Sequence, residues 1–196
     1  STVENYSFYG TVISGRGAFG GATPTVQNTT FDGASGGGAV GIGVAQTDAE
    51  IRGNTVSGHE SDDNDGAGIA HFSGADVTIK ENTITGNDDG VFLNGTDAGT
   101  VEITSNDIVN NRIGVANDGG ATVNATNNWW GSANGPNASG NTYNDGNQGA
   151  EVSDNVEFTP WLNDSTDSGE SFAPVTNDSD GQFASIQAAA NTTQPG

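Results

Sequence analysis

Four segments of this chain repeat one pattern: AEIRGNTVSG (49–58), VTIKENTITG (77–86), VEITSNDIVN (101–110) and VNATNNWWGS (123–132). Two earlier segments, VENYSF (3–8) and VQNTTF (26–31), carry a shorter version of it. The asparagines that align the six segments are Asn5, Asn28, Asn54, Asn82, Asn106 and Asn128, at spacings of 23, 26, 28, 24 and 22 residues. A repeat of roughly 20–50 residues indicates a stack of similar structural units.

Apolar residues alternate with polar ones around each asparagine of the four longer segments. Around Asn82, for example, Val77, Ile79 and Ile84 occupy the fifth and third positions before it and the second after it. Such alternation predicts a strand with one buried face. A second apolar strand follows four of the six segments: GIGV (41–44), GIAHF (68–72), GVFL (90–93) and GVAN (114–117). The sequence therefore predicts an all-β solenoid of about six coils over residues 1–127, in which each coil contacts only its neighbours.

The repeated asparagine has two expected roles. It tolerates left-handed backbone dihedrals better than other non-glycine residues, which suits a bend at the end of a strand. Side chains stacked from coil to coil also form a ladder of amide hydrogen bonds. We expect such a ladder to contain Asn28, Asn54, Asn82, Asn106 and Asn128.

The charge balance restricts the classes of partner. The chain has 25 acidic residues and four basic ones, for a net charge of −21. This charge opposes binding to nucleic acid or anionic lipid. It is typical of a highly solvated surface or, as we favour, of a halophilic source, where the Debye length of about 3 Å at 1 M salt removes the self-repulsion. The chain has no cysteine and no stretch of about 18 apolar residues, so we expect neither disulfides nor membrane insertion.

Residues 128–162 break the repeat and carry three tryptophans, Trp129, Trp130 and Trp161. The series Asn128-Trp129-Trp130-Gly131, Gly135-Pro136 and Thr159-Pro160-Trp161-Leu162 resembles the closing segment of pectate-lyase-like right-handed parallel β-helix proteins, and is similar to versions common in haloarchaeal surface proteins. The resemblance implies a single-stranded right-handed β-helix with a C-terminal cap at 128–162. The tryptophans would then cover the apolar end of the last coil; the alternative is that one of them stacks on a sugar.

The last part of the chain divides into a polar linker, 163–181, and a short amphipathic segment, 182–196. Phe183, Ile186 and Ala190 lie at helical spacing, which predicts a helix. The phrase FASIQAA (183–189) with Pro195-Gly196 resembles the helix that opens a β-helix of this family and covers its first coil. Here it stands at the opposite end, so we expect it to cap the first coil of the next copy, or of its own. The alternative is a helix that packs on the side of its own coil stack and has no capping role.

Catalytic constellations are weak in this sequence. Arg52 and Lys80 are expected to stack on adjacent coils, where Glu50, Glu81 and Glu102 offer ordinary ion pairs. Asp88 and Asp89 fall at a predicted corner, where aspartate favours turn geometry. His59 and His71 are too few for a metal centre. We therefore expect no catalytic residues.

Two further kinds of site are considered. The acidic run HESDDNDG (59–66) offers Asp62, Asp63 and Asp65 as calcium ligands, although it lacks the spacing of an EF-hand loop; no other cofactor is expected. Glycosylation sequons occur at eight asparagines: Asn5, Asn28, Asn94, Asn124, Asn137, Asn163, Asn177 and Asn191.

These features lead to one functional expectation and one alternative. We expect a non-enzymatic extracellular module at the cell surface, a β-helix subunit or repeat of a filament, stalk or layer, which joins copies of itself head to tail. The alternative is a β-helix domain that binds surface glycans or processes carbohydrate weakly.

Overall fold

A computed structural model of the protein describes residues 1–4, 6, 8–15, 22–33, 40–72, 74–95, 99–141 and 148–166, together with the backbone of 175–177 and 181–183. These residues form the following strands in chain order: β1 Thr2–Glu4, β2 Tyr9–Ser14, β3 Thr25–Gln27, β4 Thr30–Asp32, β5 Val40–Ala45, β6 Ala49–Arg52, β7 Thr55–Ser57, β8 Ala67–Phe72, β9 Val77–Lys80, β10 Thr83–Thr85, β11 Asp89–Asn94, β12 Val101–Thr104, β13 Asp107–Val109, β14 Ile113–Asn117, β15 Val123–Asn124, β16 Glu151–Val152, β17 Val156–Glu157, β18 Val175–Asn177 and β19 Gly181–Phe183.

The strands build three parallel sheets that enclose a narrow interior. The first sheet has the order β1-β4-β7-β10-β13, the second β2-β5-β8-β11-β14-β16 and the third β3-β6-β9-β12-β15-β17. Each complete coil contributes one strand to each sheet. Four coils are complete with three strands each (β3–β5, β6–β8, β9–β11 and β12–β14), and partial coils lie at both ends. The predicted parallel β-helix is therefore confirmed, with about four full turns in place of the expected six.

The interior is built from the alternating apolar positions that the sequence indicates. Strand registers stack them in columns, so that Ile51, Ile79 and Ile103 follow one another in the third sheet. Each sheet contributes a fully buried column. The columns are Val56, Ile84, Ile108 and Trp130 along the first sheet; Ile42, Ile69, Val91 and Val115 along the second; and Ile51, Ile79, Ile103 and Ala125 along the third. A few inward side chains per coil thus suffice, which explains how 32% hydrophobic residues sustain a folded core.

The asparagine ladder runs along the corner between the third and first sheets. Nδ2 of Asn54 donates to Oδ1 of Asn82 at 3.0 Å, Asn82 to Asn106 at 2.9 Å, and Asn106 to Asn128 at 3.0 Å. Each of those oxygens also accepts the backbone N–H of the preceding asparagine, at 2.9 Å in all three cases. All four side chains are buried. The ladder therefore satisfies polar groups that water cannot reach.

Asn28 is not part of this ladder, contrary to the prediction. Val26 pairs with Ile51, which places Asn28 beside Gly53 and makes Thr29 the counterpart of Asn54. The N–H of Thr29 accordingly donates to Oδ1 of Asn54 at 3.1 Å. In this coil the asparagine lies on the bend itself instead of one residue after it, so aligning the segments on asparagine shifts the register by one.

The left-handed residue of this corner also differs from the expected one. It is the residue before each ladder asparagine, as at Gly53, Glu81, Ser105 and Asn127, whose φ angles lie between 57° and 62°. Asn28, with φ 51°, occupies the same position in its coil. The bend and the buried amide are therefore two adjacent positions with separate requirements.

Two of the three tryptophans close the C-terminal end. Trp130 and Trp161 are buried in the apolar core, with Ala138 and Phe158 packed against it. The indole N–H of Trp161 donates to the carbonyl of Ala133 at 3.0 Å. Trp129 does not belong to this core: it pairs with Asp107 in a parallel bridge and is half-buried, because neighbouring residues of an extended segment point to opposite faces.

The tail differs from the prediction where it is described. Within the predicted linker, β18 (Val175–Asn177) pairs antiparallel with β19 (Gly181–Phe183). Gln182 and Phe183 are the first two residues of the predicted helix. They lie in a strand instead, because their backbone pairs with β18. Residues 184–196, which include Ile186 and Ala190, lie outside the described residues.

The ladder predicts a sharp difference between two asparagines. Asn82→Ala should lower the free energy of unfolding by about 2–4 kcal/mol, because it removes several buried hydrogen bonds and leaves the partners unsatisfied. Asn28→Gly should change it by less than about 1 kcal/mol, since Asn28 is exposed and glycine suits its positive φ. Denaturant unfolding of both variants measures the difference. Equal losses would show that Asn28 belongs to the ladder.

Candidate functional site

A second column of buried polar side chains runs along the corner between the first and second sheets. His59, Asn87 and Asn111 occupy equivalent positions in three successive coils and are buried. Oδ1 of Asn87 accepts the N–H of His59 at 3.0 Å and its ring Nδ1–H at 2.7 Å. Nδ2 of Asn87 donates to Oδ1 of Asn111 at 2.9 Å. We call His59, Asn87 and Asn111 the second ladder; it was not predicted from the sequence.

The neutral forms of His59 and Tyr6 suit this column. Because Nδ1 of His59 must donate to Asn87, its Nε2 is left to accept from the hydroxyl of Tyr6. Burial lowers the pKa of His59, against the opposing effect of its hydrogen bond to Asn87. Burial, aided by Asp32, raises the pKa of Tyr6 to about 12. Both rings are therefore uncharged near neutral pH, and the hydrogen bonds run unbroken from Tyr6 to Asn111.

An acidic cluster lies beside the second ladder. Oδ2 of Asp88 accepts the N–H groups of Ser61 at 2.7 Å and Gly66 at 3.1 Å, so it fastens the 59–66 loop to the next coil. Asp89 accepts from Nη2 of Arg112 at 2.8 Å, and the same nitrogen donates to the carbonyl of Asn64 at 3.1 Å. The cluster thus ties three successive coils together.

Asp89 carries the strongest perturbation among these carboxyls. Burial raises its pKa to about 6; Arg112 opposes the shift, and Asp88 and Asp118 add to it. A carboxyl group with this pKa exchanges its proton near neutral pH, which is the property that general acids and bases require. The contacts of Asp88 and Asp89 are nevertheless those of a structural clamp, as the corner interpretation of the sequence indicates.

The two cations considered as catalytic bases lie next to each other, as predicted, because Arg52 pairs with Lys80 in the third sheet. Glu50 holds both of them: Nζ of Lys80 lies 2.8 Å from one carboxylate oxygen, and Nε of Arg52 lies 3.6 Å from the other. The hydrogen bond from Lys80 lowers the pKa of Glu50. These contacts are those of ordinary ion pairs on an exposed face. Among the described residues of this face, Glu50 forms the ion pairs with Arg52 and Lys80, and Glu81 lies at the corner itself.

The proposed calcium ligands lie in the exposed part of the 59–66 loop. Asp65 accepts from the hydroxyl of Ser61 at 2.6 Å, while Asp62 and Asp63 lie at the exposed turn. In the described ranges, no three His, Asp or Glu side chains form a group that could hold a metal ion. Calcium binding at Asp62, Asp63 and Asp65 stays a hypothesis.

The remaining predicted positions are distributed over the surface and the core. Asn28, Asn94 and Asn137 are exposed, whereas Asn124 and Asn163 are half-buried. Asn5, Asn191 and the side chain of Asn177 lie outside the described residues. His71 points into the core, in register with Val44 and Leu93, and burial lowers its pKa. Among the described residues, no helix is long and apolar enough to cross a membrane.

Comparison with known families agrees with the architecture. A family model described as the right handed beta helix region matches residues 1–156. The chain belongs to the right-handed β-helix family. This family contains enzymes as well as non-enzymes. Membership therefore shows the right-handed β-helix fold and does not show whether the protein is an enzyme. No curated protein and no solved structure matches the chain.

The site residues that sequence reasoning missed had weak signals. Asn87 and Asn111 each stand five residues after a ladder asparagine, and His59 stands five after Asn54, so their spacing was visible. The repeat is hard to recognise in the sequence, because its first member is a histidine and the other two are asparagines. The ion pair of Arg112 could not be predicted from the sequence. Its partner Asp89 precedes it by 23 residues, and only the coil register brings the two together.

The raised pKa of Asp89 predicts a pH-dependent stability. A carboxyl whose pKa rises on folding, here from 3.8 to about 6, stabilises the fold below pH 4, and this contribution disappears as the pH rises through 6. Asp89→Asn should therefore raise the free energy of unfolding at pH 7.5 by about 1–3 kcal/mol and leave it unchanged below pH 4. Asparagine keeps an acceptor for Arg112.

Denaturant unfolding across this pH range measures the effect. Asp154→Asn is the control, because it removes an exposed charge and should produce a smaller change at pH 7.5. A destabilised Asp89→Asn variant at pH 7.5 would contradict the assignment, since it would show that the pairing with Arg112 outweighs burial.

Proposed function

We propose that this β-helix is a non-enzymatic structural module of the cell surface, whose copies join head to tail into a filament, stalk or layer. The observation that carries the proposal is the difference between the two ends of the coil stack. The C-terminal end is filled by Trp130 and Trp161, which are almost completely buried. At the other end, Phe8, Tyr9 and Val12 are 70%, 39% and 49% exposed.

The exposed end has the character of an unfinished interface. β1 and β2 are the terminal strands of the first and second sheets, so each has an outer edge on which another chain can pair. Large exposed apolar residues at such an edge favour association. The C-terminal segment of the sequence offers the complementary group, because Phe183, Ile186 and Ala190 resemble the part that covers a first coil in related β-helices. We propose that residues 184–196 of one copy cover the first coil of the next.

The surface chemistry supports an extracellular, salt-rich setting as part of the same proposal. A net charge of −21 makes neighbouring copies repel one another in dilute buffer. At molar salt this repulsion is screened within about 3 Å, which permits close contact between acidic modules. Exposed sequons at Asn28, Asn94 and Asn137 are compatible with glycosylation at the cell surface.

Deletion of residues 184–196 tests the head-to-tail joint. We expect the truncated chain to keep the circular dichroism of the full chain, because the coils and the tryptophan cap lie before residue 184. Assembly at molar salt, followed by sedimentation velocity and electron microscopy, should be lost. The second variant, Val12→Asp, alters the receiving end and should abolish assembly while the tail is intact.

Two results would overturn this joint. One is polymers formed by the truncated chain, which would show that the tail is dispensable. The other is a full chain that stays monomeric at molar salt, as it would if the tail covered its own first coil. Asn94→Ala, a substitution of an exposed residue in the second sheet, is the control and should assemble normally.

The second candidate function is carbohydrate binding or weak carbohydrate processing. The observation that favours it is Asp89, a carboxyl with a pKa of about 6 beside Asp88, because glycoside hydrolysis uses a pair of carboxyl groups with separate protonation states. A glycan screen at molar salt, with and without calcium, distinguishes the two functions. Selective glycan binding that is lost in Asp89→Asn would replace the structural proposal, whereas a structural module should show no selective binding.

A further inference from the structure

The second sheet has an outer face as well as the inner one that lines the core. In β5, Ile42 and Val44 belong to the main core, so the residues that alternate with them point outward. A second outward column, two residues further along the strands than the first, contains Ala45 and Phe72. Strand pairing defines the first column across five successive strands: Val12, Gly43, Ala70, Phe92 and Ala116. We call these seven residues the lateral face.

Two phenylalanine rings stand on the middle of the lateral face. Phe72 and Phe92 pack against a cluster of Val40, Ala67 and Ala70, which is separate from the main core. Both rings are half-buried, so they cover the strands beneath them while part of each ring is accessible to solvent. The middle of this face is therefore apolar and partly open.

The apolar surface extends to the first strand of the sheet. Val12 is exposed, and the ring of Tyr9 lies beside Gly43, where a Cβ would be 3.2 Å from two ring carbons. Val12 and Tyr9 thus continue the surface formed by the two phenylalanines. Five strands at a spacing of about 4.8 Å make this surface roughly 19 Å long. A contiguous apolar patch on a soluble protein indicates an interaction site.

Charge distinguishes the lateral face from the outer faces of the other two sheets. The third sheet has charged residues at its outward positions: Glu50, Arg52, Lys80, Glu102 and Glu157. The outward positions of the first sheet include Glu4, Asp32 and Asp107. None of the seven residues of the lateral face is charged, although the chain has a net charge of −21. In the second sheet, Asp89 and Glu151 belong to a different column, and Asp89 is paired with Arg112.

The lack of charge indicates which partner fits this surface. A strongly basic partner finds no counter-charge on the lateral face and is attracted to the acidic surfaces elsewhere. A second copy of the chain presents the same apolar residues, and two copies that meet here do not bring carboxylates into direct contact. At molar salt the remaining repulsion between the copies is screened within about 3 Å. Pairing through identical patches also closes on itself as a twofold dimer.

The size of the lateral face sets the strength of such a contact. A surface of about 19 Å by 20 Å buries roughly 400 Å² on each copy, or about 800 Å² in total. This area lies below the roughly 1,200–2,000 Å² of stable interfaces, so two isolated copies should associate weakly and reversibly. Copies that are already joined in a row would pair more tightly, because several such contacts form together.

We propose that the lateral face binds the lateral face of a second copy, so that the coil stacks pair side by side. The head-to-tail joint produces a single row of modules, and this contact joins two rows. It does not rest on that joint, because copies that do not join head to tail would still pair as dimers. Val12 belongs to both surfaces, so the variants that test the lateral face leave it intact.

Sedimentation equilibrium and electron microscopy of the full chain at molar salt test the pairing. Protein concentrations should reach about 1 mM, because an interface of this size is weak. If the head-to-tail joint forms, we expect rods of double width. If it does not form, we expect a reversible equilibrium between monomer and dimer. The two proposals therefore succeed or fail separately in the same experiment.

Three variants with one added carboxylate each assign the contact to the lateral face. Phe92→Asp and Ala45→Asp, in different coils, should each weaken pairing at least tenfold, because a charge would be buried in an apolar contact. Thr83→Asp is the matched control: Thr83 is exposed on the first sheet in the same coil as Phe92, and Asp107 occupies the equivalent position in the next coil. It should pair normally. Circular dichroism checks the fold of each variant; if Phe92→Asp does not fold, Ala45→Asp decides.

Four results would overturn the proposal. Monomers or rods of single width at every concentration would show that a second copy does not cover the lateral face. Aggregates without a defined dimer would show non-specific association of apolar surface. Equal loss of pairing in Thr83→Asp would assign the effect to added charge in general. Normal pairing in the folded Ala45→Asp and Phe92→Asp variants would place the contact elsewhere on the molecule.

Discussion

The hydrogen bonding of buried side-chain amides between successive coils is the interaction on which this fold depends. At each bend a left-handed residue carries the backbone out of the sheet pattern, and the N–H that follows loses its regular strand partner. The asparagine oxygen of the next coil accepts that N–H and the side chain of the same residue, as Asn82 does for Asn54. Without this double acceptor, these corners would bury unsatisfied donors, which would oppose the stacking of the sheets.

The second ladder imposes a further requirement on the second sheet. The strands of that sheet carry a column of glycines beside the ladder, and a Cβ on Gly68 or Gly90 would lie 3.0 Å from the amide nitrogen of Asn87 or Asn111. The same Cβ would lie 2.6–2.8 Å from the carbonyl of the glycine in the next coil. The glycine near the start of each of these strands is therefore explained by space rather than by flexibility.

The sequence was sufficient for the architecture and insufficient for the side-chain contacts of the corners. Alternation around Ile79 and Ile103 identifies strands and their inward faces, because burial of one face leaves a period of two. It does not set the register of the coil that contains Asn28, where the asparagine lies on the bend and takes the place of Gly53. It also leaves out contacts such as Arg112 with Asp89, since these depend on loop lengths that differ from coil to coil.

The two ladders end in different ways at the capped end. Asn128 is the last member of the first ladder, and its Nδ2 donates to the carbonyl of Ile103 in the preceding coil at 2.6 Å and to those of Ala125 at 2.8 Å and Thr126 at 3.3 Å in its own coil. The second ladder ends at Asn111, because beside Gly114 the Cβ of Ala150 occupies the place that the amides of Asn87 and Asn111 take beside Gly68 and Gly90. The cap therefore has to exclude water from the core without completing this corner. Trp130 and Trp161 do so by filling volume, and the indole N–H of Trp130 is left with no described acceptor as a consequence.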